Sequence, residues 1–175
     1  MRSIRRWIAE LGGLMAIIFM ATSIAHGADA EKRQAGFYLV AAEADTADGL
    51  PSPNAEQQVV RYDYKFLLES ERGEPRYLLL PKKADVPLVL AKAPKLEEKG
   101  ENGFPELWLE LSPEAARNLE KLSREHLGKR VAFVVDREPV TIHKIRSVIT
   151  GGQFRVSRCT DRACQYIYGR LTSRP

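Results

Sequence analysis

The residues of this chain that could do chemistry are few and scattered. Its two cysteines, Cys159 and Cys164, are separated by four residues. A dithiol redox motif has a two-residue gap. If Thr160 caps a helix, Cys159 and Cys164 fall at the two positions where a hydrophobic staple packs. A disulfide between Cys159 and Cys164 would make that staple covalent. Closing so short a loop is worth about 2 kcal/mol of chain entropy.

The three histidines, His26, His126 and His143, show no metal-site spacing with Cys or carboxylates. No metal and no cofactor is therefore expected. Ser112 and Ser157 lack a nucleophile-elbow context. Thr150-Gly151-Gly152 leads into a strand, with no Lys-Ser/Thr after it. It reads as a structural turn needing positive φ, not as a phosphate loop. Asp136 ends an apolar run and reads as a turn former. Tyr62, Asp63, Tyr64 and Glu69 are the one group from which an enzyme site could be assembled. They lack a base–nucleophile pattern, so no catalytic residues are assigned and enzyme activity is not expected.

These residues need elements to position them. Phe37 to Ala42 reads as a first strand, and Glu43 to Gln58 as a mobile loop rich in Ala, Asp, Pro and Ser. From Val59 to Leu68 the pattern alternates, with Tyr62, Tyr64, Phe66 and Leu68 on one face. Tyr77 to Leu80 and Pro87 to Ala91 are short apolar pieces kept at edges or in connectors by Pro81 and Pro87. Lys95 to Asn102 is charged and expected to be exposed. Glu106 to Leu111 alternates again.

Ser112 then offers an N-cap with Pro113 at the first helical position. Ala115, Ala116, Leu119, Leu122 and Leu127 give the apolar stripe, and Gly128 the stop. Val131 to Val135 is apolar on both faces, as a doubly covered strand must be. A turn over Asp136 to Pro139 precedes strands at Val140 to Ser147 and Gln153 to Ser157. A last helix begins near Asp161 and packs Cys164, Ile167, Tyr168 and Leu171.

The chain has 175 residues, 44% of them hydrophobic and 29% charged, the profile of a soluble globular domain. Residues 1–27 read as an export signal: Arg2, Arg5 and Arg6, then an apolar run of 14 residues from Leu11 to Ile24, then small residues. A bilayer span needs roughly 20 such residues. The expected location is therefore periplasmic, anchored to the membrane only if the signal is retained. Of the net charge of +4, +2 lies in that signal (three Arg against Glu10), which leaves +2. So small an excess gives no case for nucleic acid. The organisation reads as signal 1–27, a linker with first strand and mobile loop over 28–58, and a folded domain over 59–175.

Several motifs then carry a resemblance. They are the Ser-Pro-Glu-Ala-Ala helix start at Ser112, Gly128-Lys129-Arg130 before Val131 to Asp136, Ile149-Thr150-Gly151-Gly152 before a strand, and the capped last helix at Thr160. Over Ser112 to Leu171 the chain resembles the first periplasmic (head) domain of SecD, a subunit of the SecDF export complex. The likeness is strongest over 104–172. Where the family has an apolar residue before the last helix, this chain has Cys159. In the family the head sits on membrane-spanning helices that use the proton gradient. Nothing here corresponds to them, so this chain is not expected to pull on substrate by itself.

The resemblance implies an α+β fold, a small mixed or antiparallel sheet with two main helices on one face. It implies a non-catalytic interaction domain touching translocating or unfolded polypeptide, or a Sec or other envelope partner. The aromatic candidates for such contact are Trp108, Phe154 and Tyr38. An envelope enzyme and a structural assembly subunit are the alternative readings.

Overall fold

The structure is a computed structural model that describes residues 35–100, 103–157 and 160–173. The expected signal, residues 1–27, and Cys159 lie outside the described residues.

The fold is α+β, with antiparallel pairing in every described strand pair and two α-helices. Its centre is β8 (Arg130–Val135), flanked by β1 (Gly36–Leu39) and β9 (Glu138–Lys144), with β5 (Val86–Pro87) beyond β1. All of Val131 to Val135 is buried, as their two-sided apolarity requires. The period of two divides them: Val131, Phe133 and Val135 join one core cluster, Ala132 and Val134 another. Phe37 and Tyr38 of β1 split the same way.

The first cluster takes in both helices and a second sheet, β10 (Gln153–Val156), β7 (Glu106–Glu110) and β6 (Lys95–Glu97). The second cluster is closed by a third sheet, β2 (Ala42–Ala44), β4 (Arg76–Pro81) and β3 (Gln57–Tyr62). Both helices therefore serve one face of the central sheet, and the third sheet serves the other.

Helix α1 (Pro113–Glu125) starts where Ser112 Oγ accepts the Ala115 N–H at 3.3 Å. Helix α2 (Asp161–Thr172) starts where Thr160 Oγ1 accepts the Ala163 N–H at 3.2 Å. Ala115 and Leu119 are buried, with Ala116 and Leu122 beside them, but Leu127 lies past the helix end and is exposed. Ser123 is fully buried. Its hydroxyl donates to the Glu120 carbonyl and accepts the Ile149 N–H, both at 2.9 Å, which ties the turn after β9 to α1. Ser123→Ala is expected to cost about 1–3 kcal/mol by leaving that N–H without its acceptor. Urea unfolding would measure it.

Several expectations are corrected. The first strand does not run from Phe37 to Ala42. It breaks after Leu39, where the Val40 N–H bonds Arg130 O and the next N–H, of Ala41, bonds Leu79 O, both at 2.9 Å. The chain changes sheets at that point, as strands do at a corner. Residues 43–58 are not one loop: they hold the end of β2, a 3₁₀ turn at Ala47–Gly49 and the start of β3. β1 is internal to the central sheet, between β5 and β8. The strand expected over Val59 to Leu68 ends at Tyr62, and Tyr64 has φ 56°. β4 is a central strand with Pro81 at its end, and the ladder to β3 continues past it where the Lys82 N–H bonds Glu56 O at 2.8 Å. Part of the charged stretch is β6, an edge strand. The turn is Asp136-Arg137, with φ 51° and 67°, a tight hairpin of the primed kind. Pro139 lies within β9, where a bulge opposite Phe133/Val134 accommodates it. β10 pairs with β7.

Candidate functional site

The break after Tyr62 opens a groove among the described residues. Released from β3, residues 63–75 form a strap beside β9. Phe66 anchors it: the ring is buried in the first cluster and stacks on Tyr166 of α2 at 5.9 Å between centroids. Lys65 reaches Glu138, at the start of β9, at 2.7 Å. The strap thus covers the upstream part of β9 and leaves the downstream part open.

Between strap and strand lies a groove of about 680 Å³. Tyr62, Tyr64 and Leu67 form one wall; Ile142, Lys144 and Arg146 are on the other. The two tyrosine rings are 4.2 Å apart and tilted by 44°. Arg130 also borders the groove, held through its guanidinium to Glu43. Glu43 in turn binds Arg76 at 2.5 Å, and Arg76 binds Asp45 at 2.9 Å. These pairs pin the β2–β4 edge to β8. Lys144 and Arg146 have no ion-pair partner among the described residues. A smaller cavity of about 310 Å³ lies on the other side of Leu67, between Thr141 and Phe154.

The residues from which an enzyme site could be built do not converge. Tyr62 and Tyr64 line the groove, but Asp63 and Glu69 do not. Burial, then the neighbouring Tyr64 and Asp63, pushes the Tyr62 hydroxyl well above the usual phenol range. It stays protonated near neutrality and supplies no phenolate base. Asp63 Oδ1 accepts the Lys65 N–H at 3.3 Å, an ordinary loop contact. Among the described residues no group of three His, Cys, Asp or Glu could hold a metal ion. Asp136 receives the Arg170 guanidinium and joins the hairpin to α2.

The three aromatic contact candidates do not meet on one surface. Tyr38 is 2% exposed, between the central and third sheets. Phe154 packs edge-on to Phe37 and Phe133 at 5.2 and 4.9 Å. Trp108 is half-buried beneath the Arg155 guanidinium, 5.0 Å from the ring. The same arginine meets Glu106, a carboxylate 1% exposed, at 3.3 Å. Gly151 and Gly152 are at φ 81° and 67°. Cys164 is fully buried, with its sulfur 3.6 Å from the Pro105 carbonyl oxygen.

The groove is all but unmarked in the sequence. Its one visible signal was the His143-Lys144-Ile145-Arg146 alternation, which places two cations where a strand runs out.

Known proteins resemble parts of this chain. Residues 85–164 match the family described as SecDF, P1 head subdomain. Over 51 residues the chain is 43% identical to the protein translocase subunit SecDF of Thermus thermophilus, covering 29% of this chain and 7% of that protein. Among solved structures, one from work on SecDF as a membrane component that enhances protein export aligns with TM-score 0.47 and 23% identity. It covers 79% of this chain and 62% of its own. A SecDF crystal structure in a super-membrane-facing form gives 0.45 and 22%, covering 80% and 19%. The chain therefore spans 7% of the length of the curated relative it matches. Arg130, Ile142, Lys144 and Arg146 fall within the matched span; Tyr62, Tyr64 and Leu67 fall outside it.

Proposed function

We propose, from the SecD head-like domain that residues 85–164 carry, that this chain is a non-catalytic periplasmic interaction domain in protein export. It holds translocating or unfolded polypeptide, or docks on a membrane-bound Sec partner, without making or breaking bonds. The match to the P1 head subdomain is the observation that carries this reading. The open tyrosine-lined groove and the dispersal of the enzyme candidates agree with it. Among the described residues no helix is long and apolar enough to cross a membrane.

The test is in-cell crosslinking followed by capture of the chain. Envelope or Sec proteins, or exported precursors, should be enriched over a control with an unrelated exported domain. Their absence would contradict the reading.

Export also bears on the cysteines, since a periplasmic chain can keep a disulfide. The Cys159–Cys164 bridge belongs to this proposal. Thiol alkylation of the purified exported protein should label neither cysteine until reductant is added. Reduction should then lower stability by about 2 kcal/mol. Labelling of both cysteines without reductant would remove the bridge.

A further inference from the structure

The groove borders an unpaired strand edge. The Val40 N–H bonds Arg130 O, and the Ile145 N–H bonds Lys129 O at 2.8 Å. Successive residues of a strand turn their backbone groups to opposite sides, so Arg130 faces β1 while Val131 and Phe133 face β9. Their register partners His143 and Thr141 therefore face β8. Ile142 and Lys144 turn their N–H and C=O groups away from β8, towards the groove. β9 is the last strand of its sheet, and no described backbone group bonds Ile142 or Lys144 from outside. An open edge of this kind is a template for another strand.

The chemistry around the edge is one-sided. Lys144 and Arg146 stand on it without carboxylate partners among the described residues, while Arg130 is held by Glu43. The facing wall offers Tyr62, Tyr64 and Leu67. An exposed strand edge presents donors and acceptors alternately, which suits a polypeptide. A phosphate headgroup would use the donors alone.

We propose that the Ile142–Lys144 edge takes up an acidic, extended segment of another polypeptide as an added strand, with carboxylates on Lys144 and Arg146 and side chains against Tyr62 and Tyr64. This rests on the polypeptide-binding reading above and names its place and preference. The wall formed by Tyr62, Tyr64 and Leu67 lies outside the matched head segment, while Lys144 and Arg146 lie within it. Attraction by exposed cations is screened by salt, so affinity falls as ionic strength rises.

The experiment uses the full chain and a labelled twelve-residue peptide of alternating valine and glutamate, read by fluorescence anisotropy. Two further peptides carry N-methyl groups on one or the other alternate set of backbone nitrogens. The acidic peptide should bind saturably. One methylated set should weaken binding about tenfold or more and the other much less, because only one set faces the edge. The doubly charge-reversed variant, Lys144→Glu with Arg146→Glu, should lose the acidic peptide by about tenfold or more with unchanged circular dichroism.

Equal binding of both methylated peptides overturns strand addition. So does a charge-reversed variant that loses phosphatidylglycerol vesicles but keeps the peptide, or an edge already occupied by a second copy in sedimentation. Unfolded precursor that binds the variant as tightly as the unaltered chain overturns the edge and leaves the wider reading standing. Failure of the unaltered chain to bind any unfolded precursor removes both.

Discussion

Phe133→Ala is expected to cost about 3–5 kcal/mol, a large part of the stability of a domain this size. Phe133 is 2% exposed in the middle of β8. Its ring meets Phe37 at 5.4 Å and Phe154 at 4.9 Å, so it joins the central sheet to the β10–β7–β6 sheet. Truncation removes buried area and leaves a cavity between β1 and β10, which cannot both collapse into it. The urea midpoint should fall sharply with the m-value unchanged. A loss below about 1 kcal/mol would mean that the two sheets are not joined through this ring.

Gly152→Val should cost nearly as much, for two separable reasons. The residue sits at φ 67°, where a β-branched side chain is strained, and a Cβ there would lie 2.7 Å from the Ala116 Cβ of α1. The Gly152 carbonyl also accepts the Leu111 N–H at 2.8 Å, so the turn cannot swing away without losing a bond. Strain and overpacking contribute about 1–3 kcal/mol each. Gly151→Ala isolates the first term, because Gly151 is at φ 81° with nothing within 4 Å of its Cβ position. Adding Ala116→Gly to Gly152→Val isolates the second, and should restore part of the loss. An unchanged loss in that double variant would show that the turn does not pack on α1.

The two helices and β8 were legible in the sequence because their signals are local. Ser112 and Thr160 each cap a helix whose apolar stripe begins within one turn. Val131 to Val135 has no polar face to present. The Thr150-Gly151-Gly152 turn was legible for the same reason, since positive φ restricts residue type. Sheet membership was not legible. Nothing in FYLVAA marks Val40–Ala41 as the point where the chain leaves one sheet for another. That depends on Arg130 and Leu79, both far along the chain. The alternation of Tyr62, Tyr64 and Phe66 continues past the real strand end, because Phe66 is buried in the first cluster as the anchor of the strap and not on a strand face. Missing that break meant missing the groove. The aromatic contact candidates had equally good reasons to be core. Tyr38 and Phe154 fill sheet interfaces, and Trp108 lies under Arg155.

The contact reading keeps the groove and the SecD-like block in one account. The block supplies β8, β9 and the two cations; the end of β3 and the strap before it supply the tyrosine wall.

The most direct measurement titrates the full chain against a single exported protein in two states, unfolded and folded, by fluorescence anisotropy at low and high salt. The account predicts saturable binding to the unfolded form, little to the folded form, and no change in the bound protein's covalent mass. Equal binding to both forms, or none to either, would contradict it.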